Sequence, residues 1–426
     1  MARNRVIYQS EALYVGPSPA VSGFFTDKTL LVPDGYVDAP LQASGNQIKQ
    51  LHRIQTANYS FNIARTDINQ FGELAAIDRV VMDTPTVALD FSYILATMEN
   101  ETNLGFVTNG TATALSGIMN KLEDEKNYFI RTVGEGIDAV GDTNVEPQEN
   151  AGSSVIGVGN GFITSYTTEC SVGNFPTCSV NVEGMNMTFN NGISGGSPAI
   201  IPESGLRLES YKWVLPTATG SPSTGILATS ALRPGDITFS FKKSDKESTH
   251  LIDALDGVAE NTYDAPGAKF GDMTDRSYAK IQSYNISLDM AREPINRLGS
   301  RFAFSREITF PMTVTCSVDA LVADLTTGSL SDIINCDDAY DIQINLLRPT
   351  NCPGDVDTHK DIFAQYRLKN CKVNSQAFSS DIGSNKSVTI EFATQVGGPN
   401  QVNQGLFMSG ISTGYFTMAD DDSVQQ

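Results

Sequence analysis

The segment RIQTANYSFNIARTDINQFG occupies residues 53–72, and KIQSYNISLDMAREPINRLG occupies residues 280–299. The second nearly restates the first. Aligned over 53–79 and 280–306, identities fall at Ile54/Ile281, Gln55/Gln282, Asn58/Asn285, Ser60/Ser287, Ala64/Ala291, Arg65/Arg292, Ile68/Ile295, Asn69/Asn296, Gly72/Gly299, Ala76/Ala303 and Arg79/Arg306. Self-similarity of this density signals a duplication, and its spacing is too long for a solenoid repeat. Two domain-sized copies fit it.

The physical pattern repeats with the letters. Ala57, Tyr59, Phe61 and Ile63 alternate with Asn58, Ser60 and Asn62; Tyr284, Ile286, Leu288 and Met290 alternate with Asn285, Ser287 and Asp289. A period of two marks a half-buried antiparallel strand. A polar loop and a proline (Pro85 or Pro311) lead to a second strand, with Val87, Leu89, Phe91 and Tyr93 on one face in the first copy and Met312, Val314, Cys316 and Val318 in the second. Each copy then offers a short helix, SGIMNKLEDEK or SLSDIINCDD, with Ser116 and Ser329 as N-caps. A strand follows (NYFIRTV, YDIQINLL), then a hairpin-like stretch (residues 161–184 and 366–392). The expectation is a mainly β chain with two tandem β-sandwich or barrel domains, each with one packed α-helix. The boundaries read as an N-terminal arm at 1–48, a first domain at 49–190, and a Gly/Ser/Pro-rich connection with an added strand, DITFSFK, at 191–277. A second domain follows at 278–397, then a C-terminal segment with an acidic tail at 398–426.

Composition narrows the function. The net charge is −20, from 49 acidic and 29 basic side chains, and such a surface repels nucleic acid. No apolar run is long enough for a membrane span, and the N-terminus lacks the apolar core of a secretory signal. Six cysteines without a C-x-x-C motif read as buried free thiols rather than a disulfide scaffold. The three histidines, His52, His250 and His359, stand far apart and form no metal or catalytic motif. GVGNG at 157–161 reads as a turn entering a strand, and GISGGSPA at 192–199 lacks the lysine of a phosphate loop. Asp332, Asp337, Asp338 and Asp341 lack the calcium-loop spacing and read as solvated acids at a turn. The sole tryptophan, Trp213, reads as a packing anchor between the domains. No catalytic, cofactor or metal residues emerge.

SFNIARTDINQFG with AIDRVVMDTPTVALDFSYIL, the single following helix and SVGNFPTCSVNVEG resemble the tail tube proteins, or major tail proteins, of long-tailed bacteriophages. So does the second copy's IQSYNISLDMAREPINRLGSRFAFSREITFPMTVTCSVDAL. That resemblance implies small β domains set in sixfold rings that stack into a hollow conduit for the genome. A tandem chain would fill two adjacent places, so three chains would make a pseudo-sixfold ring. It implies self-association, contacts with tape measure, tail terminator and baseplate proteins, DNA that passes without specific binding, and a place in the virion tail after synthesis in the bacterial host cytoplasm. The alternative is a baseplate or distal-tail protein, or another all-β virion or surface assembly. The loops at 64–79 and 291–306, which contain Gly72 and Gly299, would be arms between subunits or rings, with Arg65, Arg79, Arg292 and Arg306 either pairing with acidic neighbours there or standing as solvated loop charges or local salt bridges. Arg3 and Arg5 lie in an arm that either reaches a neighbour or adds a strand to its own domain.

Overall fold

The computed structural model describes residues 11–17, 48–82, 84–119, 124–133, 139, 154–191, 231–243, 280–296, 298, 303, 305–321, 339–347, 362–379, 385–411 and 416–417. Trp213, Ser329, residues 192–199 and the acidic tail lie outside them. So do Arg3, Arg5, Gly299, Asp332, Asp337 and Asp338.

The chain is mainly β. It begins with β1 (Glu11–Pro17), β2 (Lys49–Leu51) and β3 (Ile54–Asn62). A small ribbon follows, β4 (Arg65–Ile68) with β5 (Asp78–Val81), and then β6 (Thr86–Ile94). Two short helices, α1 (Glu99–Leu104) and α2 (Ser116–Met119), lead to β7 (Glu125–Thr132), β8 (Ser154–Ser171), β9 (Thr177–Gly184) and β10 (Asn186–Asn191). The later part runs through β11 (Ile237–Lys243), β12 (Lys280–Asp289), a second ribbon of β13 (Arg292–Ile295) and β14 (Ser305–Ile308), and β15 (Met312–Leu321). It ends with β16 (Tyr340–Leu347), β17 (Ile362–Ser379), β18 (Ser387–Val396), β19 (Gly405–Ile411) and β20 (Phe416–Thr417). All pairings are antiparallel, and one sheet joins sixteen strands. Among the described residues no helix is long and apolar enough to cross a membrane.

The earlier strands pair in the order β3-β6-β9-β8-β7-β1, the later ones in the order β12-β15-β18-β17-β16-β11. The registers correspond pair by pair. Asn58 faces Asp90 as Asn285 faces Ser317, and Asp67 faces Arg79 as Pro294 faces Arg306. The irregularities correspond too: Ile54/Thr56 with Ile281/Ser283, Ile163/Ser165 with Val373/Ser375, and Lys126/Tyr128 with Tyr340/Ile342. At the last of these, Asn160 and Asn370 both take a left-handed backbone, with φ of 53° and 56°. Each backbone N–H donates to a side-chain oxygen on the neighbouring strand, Asn127 Oδ1 at 3.0 Å and Asp341 Oδ1 at 2.9 Å. Asparagine tolerates that conformation better than most residues, and the acceptor satisfies the amide freed by the bulge.

Several local expectations change. GVGNG lies inside β8 rather than in a turn. A Cβ on Gly161 would sit 2.8 Å from the Tyr128 ring, so this glycine admits an aromatic side chain against the strand. Asp341 is a bulge acceptor on β16 rather than a turn acid. Ser116 is the first residue of α2, and its hydroxyl donates back to the Thr113 carbonyl at 2.6 Å rather than capping from outside. The arm's residues 11–17 form a strand on β7, the place β11 takes on β16. DITFSFK is therefore the later counterpart of that arm strand.

Packing unites the two strand sets. On β6, Val87, Leu89, Phe91 and Tyr93 are buried while Thr86, Ala88 and Asp90 face out. They share one cluster with Ile286, Leu288, Val314, Cys316, Tyr366 and Phe392 of the later strands. Cys170, Cys178, Cys316 and Cys371 are buried free thiols within it. The sets join where β8 pairs β12, from Ser283↔Ser171 to Asp289↔Ser165. Leu288 at this joint is 0 % exposed, whereas Phe61, its counterpart on β3, is 58 % exposed. Leu288→Ala should therefore cost about 2–5 kcal/mol, and Phe61→Ala under about 0.5 kcal/mol. Urea denaturation of the monomeric chain checks the contrast, and equal losses contradict it.

Candidate functional site: a polar sheet face with two open edges

Eight strands, β3-β6-β9-β8-β12-β15-β18-β17, form a continuous wall whose inner side is the core. Alternation sends the polar half of each strand to the other side. One row across it reads Asn58, Asp90, Asn181, Ser165 and Asp289, each opposite the next. A second reads Glu169, Asn285, Ser317, Glu391 and Ser375. Cross-strand hydrogen bonds knit these rows. Asn58 Nδ2 donates to Asp90 at 2.8 Å, Asn181 Nδ2 to Ser165 Oγ at 2.8 Å, and Ser375 Oγ to Glu391 at 3.0 Å. Ser283 Oγ adds a 2.6 Å bond to Asp319. Within the described strands, no Lys or Arg stands in register along the rows from Asn58 on β3 to Glu391 on β18; Lys372, opposite Ala393 on the end strand β17, is the basic side chain that joins this face. The face is a hydroxyl- and amide-rich surface with net negative charge, suited to repelling a polyanion.

Both ends of the wall are open. β3 pairs β6 on one side and no described strand on the other. β17 changes partners along its length. Its first part pairs β16 and β19, while its last part pairs β18 alone among the described strands. The corresponding part of β8 is flanked on both sides, by β9 and β12. Each open end carries an exposed aromatic, Phe61 on β3 and, on β17, Phe378, which is 45 % exposed with Lys386 Nζ 5.4 Å from its ring centroid. Their counterparts at the joint, Leu288 and Thr168, are fully buried. An open edge with exposed aromatics is a template for further strand pairing.

The ribbon arginines divide into two environments. Arg292 is buried at the joint, where Nε donates to the Ile163 carbonyl at 2.9 Å and Nη2 meets Asp124 Oδ1 at 2.6 Å. Its guanidinium lies 5.0 Å from the Phe162 ring centroid. Arg306, also buried, pairs with Glu183 Oε1 at 2.5 Å. Ribbon β13–β14 is thus fastened to the earlier strands of its own chain. On β4–β5, Arg65 is exposed. Arg79 meets Asp67 of the same ribbon at 2.6 Å in full solvent contact, where screening leaves little stabilisation. Gly72 turns this ribbon with φ of 94°.

A buried polar cluster has no sequence signature. Glu101, on the six-residue helix α1, accepts hydrogen bonds from Tyr93 at 2.8 Å and Tyr166 at 3.1 Å. Tyr366 of the later set reaches Tyr166 at 2.8 Å. With Tyr166 donating to Glu101, Tyr366 is the donor in that contact. Glu101 Oε2 has no partner among the described residues, and burial raises the carboxyl pKa. The cluster joins the two strand sets through hydroxyls.

No family model and no curated protein matches this sequence. Partial likenesses exist among solved structures. A chain of the anti-feeding prophage baseplate, 6-fold symmetrised, is 13% identical over 31% of this chain and 79% of its own, with a TM-score of 0.20. A chain of the gene transfer agent tail with C6 symmetry is 12% identical over 35% and 92%, with a TM-score of 0.22. An Hcp protein crystal structure is 11% identical over 41% and 98%, with a TM-score of 0.20.

Two outcomes follow. Arg292→Ala strands the Asp124 carboxylate at the joint and should cost about 3–5 kcal/mol in chemical denaturation, whereas Arg79→Ala should be close to neutral. Glu101 holds its proton more tightly when folded, so its contribution is full below its unfolded value, 4.5, and is lost as pH rises through the raised folded value. Glu101→Gln removes that loss. Melting curves at pH 4.5 and pH 7.5 should show a smaller pH-dependent drop in the variant; identical drops contradict this assignment.

Proposed function

We propose that this chain is a structural subunit of a bacteriophage tail tube. Copies join head to tail into closed rings, β3 of one copy pairing the last part of β17 in the next. The observation that carries this reading is the in-chain joint. β12 sits on β8 inside one molecule, and β3 and β17 are the open counterparts of those two strands in matching register. Transferring the joint between molecules sets Asn62 opposite Ser375, Tyr59 opposite Phe378 and Asn58 opposite Ser379. The exposed aromatics become covered, and the edge N–H and C=O groups find partners.

Ring closure bends the wall into a barrel whose strands run along its axis and whose hydrogen bonds run around its circumference. The Asp90–Glu169–Asp319–Glu391 face then lines the bore. Negative charge there keeps passing DNA from adhering, since phosphate binding needs Lys and Arg. The matching registers support an internal duplication, and three chains then supply six similar places in a pseudo-sixfold ring, as the resemblance implies. The role is assembly rather than catalysis, in a virion tail alongside tape measure, terminator and baseplate proteins.

The test is a double variant, Asn62→Cys with Ser375→Cys, oxidised after assembly. The expected products are covalent multimers that stop at a closed trimer on denaturing gels, from preparations showing hollow rings by electron microscopy. Rings that yield no intermolecular product overturn this joint. A protein that stays monomeric at high concentration, and forms a single ring only with tail initiator proteins, favours the baseplate reading.

A further inference from the structure

The two rims of the wall differ. Ribbon β4–β5 leaves the sheet after Asn62 and returns before Thr86, so it projects from one rim. Its tip presents Phe71 and Leu74 in full exposure, with Ile77 more than half exposed. The ribbon is ordered: Ile77 N–H donates to the Ile68 carbonyl at 2.8 Å, and Asp67 holds Arg79. β8 runs from this rim to the opposite one, where the turn into β9 presents Val172 and Phe175, each more than half exposed. The tip and this turn are apolar surfaces at opposite ends of the same strands.

The second ribbon shows why the first is available. On β13–β14 the residue opposite Arg306 is Pro294, so Arg306 turns to Glu183 and, with Arg292, fastens that ribbon to its own chain. On β4–β5 the corresponding residue is Asp67, which holds Arg79 within the ribbon.

We propose that the apolar tip of ribbon β4–β5, centred on Phe71 and Leu74, docks on the Val172–Phe175 turn of a second copy in the adjacent ring. This rests on the ring reading, which sets the two rims at the two open ends of the barrel. The contact is heterologous and does not close, so it propagates into a filament. Several weak apolar contacts per ring act together, and stacking rises steeply with concentration.

The experiment compares wild type with Phe71→Ser/Leu74→Ser by electron microscopy and sedimentation. The expected result is rings without tubes. Wild-type-length tubes from the variant overturn this inference and leave the ring reading standing; absence of rings in the wild type overturns the ring reading itself. Should the variant lose rings as well, Leu74→Cys/Val172→Cys decides. A covalent ladder extending past the trimer, absent from either single variant, supports the contact, and intact tubes without such a ladder overturn it.

Discussion

An antiparallel strand has two hydrogen-bonding edges, and each must be paired, covered or left to water. In this chain the pairing of β8 with β12 satisfies that requirement once, inside the molecule. It makes one wall from two strand sets and one core from two apolar faces. The same pairing leaves β3 and the end of β17 as the two edges unanswered within the described residues. Everything proposed for assembly rests on that asymmetry between a filled joint and an open one.

The two strand sets share a scaffold and differ in what they attach to it. Bulges, left-handed asparagines and ribbon registers coincide, because they set strand direction and sheet curvature. The attachments follow local chemistry. Asp67 opposite Arg79 makes a self-contained ribbon, and Pro294 at the matching place sends Arg306 to Glu183. Glu101 and its tyrosines tie α1 to both sets, at a point where a carboxylate would otherwise be costly to bury.

Much of the scaffold is legible in the letters. Alternation along 57–63, 87–93, 284–290 and 312–318 places β3, β6, β12 and β15, and the identities across residues 53–79 and 280–306 carry their common register. Other features depend on contacts distant in sequence. Nothing local shows that residues 11–17 and 237–243 take equivalent places, because only β7 and β16 define those places. Gly161 looks like a turn residue until the Tyr128 ring lies over it. Arg292 and Arg306 look like surface charges until Asp124 and Glu183 arrive from the earlier strands. The open edges are the hardest to see: Phe61 and Leu288 occupy the same place in the alternation, and only the partner strand separates a buried residue from an exposed one.

The most direct measurement is a cryo-electron microscopy map of the assembled particle, resolved well enough to trace strands across the boundary between two chains. The account predicts β3 of one chain hydrogen-bonded to β17 of the next, with Asn58 opposite Ser379 and the register of the β8–β12 joint preserved around a closed wall. A boundary without strand pairing, or pairing in another register, would contradict it.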